Sequence, residues 1–156
     1  MTANDPTIEA ARSFVDESLD SMHAAIAGAS PDALNRRPAG DETNPVAVLV
    51  VHAVSSTRWW LSIALGLPLP ERDRPSEFLT TVADVDELLG IFDPIAADCR
   101  ALLDTDMPFD PGAVREDPRE GERMTAAWAL IHAVEHLREH VAHAELTRQL
   151  WGDRGV

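Results

Sequence analysis

The sequence predicts an all-α protein built as a four-helix bundle, and three observations carry that expectation. Four long segments place apolar residues at intervals of three and four. No run alternates β-branched and polar residues, and the connections are of intermediate length. The 156 residues suit a single domain, residues 1–156, with enough chain to bury a core.

Each helix brings its own start and stop signals. Asp5-Pro6 can cap and open the first, with Ile8, Ala11, Val15, Leu19, Met22 and Ile26 on one face. Gly28 closes it, and Ser30-Pro31 with Arg37-Pro38-Ala39-Gly40 reads as loop. Asn44-Pro45 repeats the cap-plus-proline signal, opening a second helix that runs to Gly66. Near residues 46–51 this helix is apolar almost all round, so it should be central. The proline-rich LPLPERDRPSEF is a connection. Thr81 with Asp84 resembles a capping box that opens a third helix through Leu88, Leu89, Phe92, Ile95 and Leu102. Pro94 inside it is a site for a kink or break. Residues 104–121 read as loop, and a final helix runs from about Glu122 to Trp151, where Gly152 stops it.

Composition narrows the function. The formal net charge of −14 repels nucleic acid and anionic membrane surfaces alike, so neither is expected as a partner. No uncharged apolar run reaches the roughly 18 residues of a membrane span. The N-terminal stretch lacks a basic region followed by an apolar one, so no signal peptide is read and a cytoplasmic location is expected. The single cysteine, Cys99, can form neither an internal disulfide nor a cysteine-based zinc cage and reads as a small buried hydrophobe. All 13 basic residues are Arg, with no Lys and no Tyr, as a GC-rich genome would produce. Acidic runs around Asp16-Glu17 and residues 84–87 read as solvated faces and first-turn charges.

The chemistry-bearing pattern is in the final helix. With His132 at zero, His136, His140 and His143 fall at about 40°, 80° and 20° around a 3.6-residue helix, one narrow stripe. Ala129, Ala133 and Trp128 flank that stripe. Imidazoles three or four apart can meet on one ion, and burying them unpartnered would cost about 1–3 kcal/mol per polar group. Glu135, Glu139 or Glu145 could accept the remaining ring N–H groups. A third ligand must come from another helix. His23 stands near the end of the first, whereas His52 is a lone polar ring in the apolar second helix and is the better choice. A solitary H-x3-H is ordinarily surface decoration or a hydrogen-bonded pair; four aligned histidines and a buried fifth favour a metal site. Trp59-Trp60, Trp128 and Trp151 read as core and helix-interface residues.

The last helix resembles the DinB/YfiT-like metal-binding bundles, especially an actinobacterial branch carrying H-x3-E-x3-H-x2-H-x-D-x2-R-E. Here the positions are His132, His136, His140, His143, Glu145, Arg148 and Gln149. The second helix is similar too, with Pro45, His52, Trp59-Trp60 and Gly66. The likeness rests on these two helices, less than half of the chain. Glu145 stands for Asp and Gln149 for Glu, and the H-x-G-Q ending of other members is absent.

The resemblance implies a divalent ion, zinc or nickel, held by His52, His136 and His140. It also implies kinship with thiol-dependent S-transferases and mycothiol-dependent isomerases. On that basis the expected function is a metal-dependent S-transferase or isomerase, with mycothiol as the thiol cosubstrate and a small-molecule electrophile as its partner. The ion would acidify the thiol, and His132 or His143 would stand beside it as base or supporting group. The alternatives are a metal-dependent hydrolase and a non-catalytic, metal-stabilised stress-response or binding protein. A homodimer is compatible with a small acidic bundle carrying four tryptophans.

Overall fold

The computed structural model describes residues 5–151, without the Trp151 side chain. Among them are six helices: α1 (Pro6–Ile26), α2 (Pro31–Asn35), α3 (Val46–Leu65), α4 (Arg74–Glu77), α5 (Val85–Leu103) and α6 (Ala126–Trp151). A hairpin of β1 (Val114–Asp117) and β2 (Glu122–Thr125) precedes α6. The Gly152 stop lies outside the described residues.

The four long helices form a closed ring in which α3 packs on α6 and α5, and α1 packs on the other sides of the same two. Thus α1 and α3 are diagonal, with few contacts between them. The sequence explains the contrast. Helix α1 presents one buried stripe, Ile8, Ala11, Val15, Leu19, Met22 and Ile26, whereas every residue of α3 except Arg58 and Leu65 is buried. Two neighbours cannot cover a helix all round, so α2, α4 and β1 also lie on α3. Hydroxyls in this apolar helix bond back to its own carbonyls, Thr57 to Ala53 at 2.8 Å and Ser62 to Arg58 at 2.9 Å. By length and composition α3 could cross a membrane, yet 94% of its most apolar window is buried inside the bundle.

The capping chemistry departs from expectation in places. Asp5 accepts from Thr7 N at 2.8 Å as expected. Asn44 makes no cap, because Pro45 itself occupies the N-cap position of α3 without a side-chain bond. The box at α5 lies three residues later than Thr81-Asp84. Asp84 accepts from Glu87 N at 2.9 Å, and Glu87 reaches back to Ala83 N at 2.5 Å. Helix α5 continues through Pro94. Cys99 is fully buried, its sulfur 3.8 Å from the Val54 carbonyl, and burial pushes its thiol up to about 12.

Three connections hold more structure than the sequence pattern indicates. Ser30 caps a one-turn helix, α2, by accepting from Ala33 N. Asn35 at its end exchanges hydrogen bonds with both the N–H and the carbonyl of Val82, tying the two linkers together. The proline-rich connection contains α4, capped by Asp73. Residues 104–121 include β1, which pairs with residues expected to begin the last helix: Val114 lies opposite Thr125 and Asp117 opposite Glu122. Strands of four mostly charged residues carry no alternating apolar signal, which is why they read as loop and helix.

The hairpin docks on the end of α3. Arg115 Nε donates to the Ala64 carbonyl at 3.2 Å, and the Arg119 guanidinium lies 4.9 Å from the Trp59 ring centre. Gly66 ends α3 at φ +68°, and a Cβ there would sit 3.0 Å from the Arg115 guanidinium. Gly66→Ala should therefore destabilise the protein by about 1–2 kcal/mol from the left-handed backbone alone. A lowered urea midpoint with an unchanged m-value is the expected readout; an unchanged midpoint would contradict the proposed strain.

Candidate metal centre

Packing α3 against α6 sets His52 opposite the histidine stripe. The outermost stripe members are 5.7 Å from their neighbours, His132 to His136 and His140 to His143, measured between ring centres. The central pair is closer, at 4.4 Å, with Nε2 atoms 3.2 Å apart. The His52 ring centre stands 5.2 Å from His136 and 5.1 Å from His140. Ring nitrogens of these three residues lie within 4.8 Å of one another, close enough to hold one metal ion.

The donor set fits such an ion. Two imidazole nitrogens at about 2.0–2.1 Å from a tetrahedral zinc stand about 3.3 Å apart, close to the His136–His140 spacing. His136 and His140 each keep a buried Nδ1 with no hydrogen-bond partner among the described residues. Burial, reinforced by the neighbouring imidazoles, pushes His136 down to about 3 and His140 down to about 4. Both rings are thus neutral at pH 7, the form that ligates metals.

The remaining histidines occupy different surroundings. His132 stacks on Trp128 at 4.8 Å and meets the edge of Trp60 at 4.7 Å, with Glu135 3.6 Å from its Nδ1. His143 is exposed, as is His23, which lies 6.5 Å from Phe92. Among the described residues neither His132 nor His143 joins the group of three that could share an ion. Trp59 and Trp60 are buried, whereas Trp128 is 48% exposed and so no core residue, although its ring meets Trp60 at 5.7 Å across the α3–α6 interface. It stands at the open edge of the stripe.

Sequence reasoning missed Glu77. In place of the carboxylate expected from α6, the one that touches a triad ring comes from α4: Glu77 Oε2 lies 2.8 Å from His52 Nδ1. Glu77 in turn accepts from Arg72, Nε to Oε1 at 2.6 Å and a terminal nitrogen to Oε2 at 2.9 Å. Burial alone would raise the Glu77 pKa, yet the hydrogen bonds from His52 and Arg72 and the Arg72 charge hold it below the usual carboxylate range. Asp73-x-Pro75, a cap followed by proline, was the available signal for α4.

The mycothiol-S-transferase family model matches residues 10–152. The chain belongs to that family. A mycothiol S-transferase works on a small-molecule thiol, the partner class this membership implies. A crystal structure titled "conserved protein of locus from Enterococcus faecalis" shares the fold, with a TM-score of 0.69 and 19% identity. The alignment covers 91% of this chain and 95% of that one. No curated protein matches the sequence.

The depressed imidazoles make acid stability depend on the ion. Between the ordinary histidine value of 6.5 and the folded values, the unfolded chain binds protons that the folded chain refuses. Metal-free protein should therefore be most stable above pH 6.5 and lose stability as pH falls towards 4. Urea midpoints in chelator at pH 7.5 and pH 5 measure this, and replacing both His136 and His140 by Gln should flatten the difference.

Proposed function

We propose that this family member is a metal-dependent S-transferase that joins the thiol of mycothiol to a small electrophile, with a divalent ion such as zinc or nickel held by His52, His136 and His140. The observation that supports the ion is the convergence of three imidazoles from α3 and α6, two with Nε2 atoms 3.2 Å apart. Family membership supports the thiol. A bound ion of this kind lowers the pKa of a thiol and so supplies thiolate at neutral pH.

The chain's own residues do the rest. Three imidazole ligands would leave a fourth position for the thiol, whereas structural zinc sites are closed by four. His132, stacked on Trp128 and against Trp60 one turn from His136, would receive the proton that the thiol gives up. His143, exposed at the opposite end of the stripe, is the other candidate for that role. Sulfur bonds to the electrophilic carbon, and the leaving group departs with the electron pair. Hydrolysis is less favoured because the buried carboxylate nearest the triad, Glu77, is already engaged by His52 and Arg72.

Purified protein should bind one equivalent of zinc or nickel. His52→Ala, His136→Ala and His140→Ala should each abolish stoichiometric binding, and His23→Ala should leave it intact. Full occupancy in the His52 variant would overturn the ligand set. Mycothiol and an alkylating electrophile should then be consumed together by the loaded wild type, at least tenfold faster than by the His136 variant. Metal binding with no thiol consumption would favour a non-catalytic role.

A further inference from the structure

The buried Arg72–Glu77 pair has no obvious reason to exist as a stabilising device. Their side chains are only 3% and 6% exposed, and Arg72 retains one terminal nitrogen buried without a hydrogen-bond partner. Taking two such charges out of water is expensive, and well-packed apolar residues often serve stability as well or better. Neither residue belongs to the four-helix ring; both come from the connection between α3 and α5. That connection is nonetheless built with care. Asp73 accepts from Ser76 N and from the Ser76 hydroxyl, and the Phe78 ring lies 4.7 Å from the ring of His52.

We infer that Glu77, clamped by Arg72, is the positioning residue for His52, fixing its proton on Nδ1 and leaving Nε2 to face the ion. This rests on the metal reading above. The donor inventory makes a carboxylate obligatory. Oε1 receives one Arg72 N–H, while Oε2 receives a second Arg72 N–H and faces His52 Nδ1. A guanidinium can only donate. With every acceptor site supplied by a carboxylate, His52 Nδ1 must carry hydrogen, and the imidazole lone pair is then confined to Nε2.

An amide in place of Glu77 fails in either orientation. If its oxygen faces His52, its NH2 group confronts the Arg72 Nε–H, donor against donor. If its NH2 group faces His52, Nδ1 becomes the acceptor and the ring proton moves to Nε2, where it blocks ligation. Carboxylates that orient a ligating histidine in this way typically contribute 10–100-fold in metal affinity.

Zinc competition against a chromophoric chelator, together with urea unfolding of the metal-free protein, tests the inference. Glu77→Gln should weaken zinc binding 10–100-fold. Arg72→Met, which keeps the carboxylate on His52, should weaken it less. A merely structural role would lower the unfolding midpoint and leave the affinity of the folded protein unchanged; that result overturns the inference. A wild type that takes up no zinc overturns the metal reading instead.

Should the variants fail to fold, 15N NMR of the wild-type imidazoles decides the matter without mutation. The inference requires His52 to carry its proton on Nδ1 in metal-free protein and to keep it there when zinc is added. A proton on Nε2 in the metal-free protein, or zinc on Nδ1, overturns it.

Discussion

Covering α3 on every side is the constraint on which the rest of this structure depends. A helix whose face is apolar all round cannot sit at the rim of a bundle, and two long neighbours leave parts of it bare. The chain answers with short elements in its connections: α2 and α4 packed on α3, and a hairpin that brings Arg115 to the Ala64 carbonyl at the end of that helix. What would otherwise be loops are thereby held against the core. Several polar groups trapped in α3 are satisfied close by, the Thr57 and Ser62 hydroxyls by bonding back along the helix and His52 by a carboxylate from α4.

The histidine cluster follows from the same packing. Because α3 and α6 share the most extensive interface in the ring, a ring at the middle of one faces the i, i+4 pair of the other. Burial holds the His136 and His140 imidazoles well below the usual histidine range, while the flanking His132 and His143 have partners or solvent of their own. The centre is therefore narrow. It draws three donors from a stripe-plus-one arrangement of five, and its carboxylate comes from outside both helices.

Much of this was legible in residue order, because helical periodicity writes a repeating signal over twenty residues. The four long helices, their apolar faces and the meeting of His52 with the last helix all rest on such repeats. Elements of four or five residues carry no periodic signal. Helix α4 was hidden in a proline-rich, charged segment whose composition is that of solvent-exposed chain, and Glu77 was hidden with it. The hairpin was hidden because its strands are charged and its second strand abuts α6 without an intervening breaker. Trp128 misled for a different reason. Its size suggests a core residue, but on α6 it belongs to the stripe's open end, where a flat ring serves as a wall for His132.

The sealing of Cys99 between α5, which carries it, and α3 bears on the kind of chemistry a mycothiol-S-transferase family member handles. Electrophiles do not discriminate between the sulfur of a small thiol and the sulfur of a protein. A chain with one cysteine, fully buried and with its ionisation suppressed by the apolar interior, offers such reagents no competing nucleophile of its own kind. A thiol reacting on this chain would have to be brought by a diffusible partner.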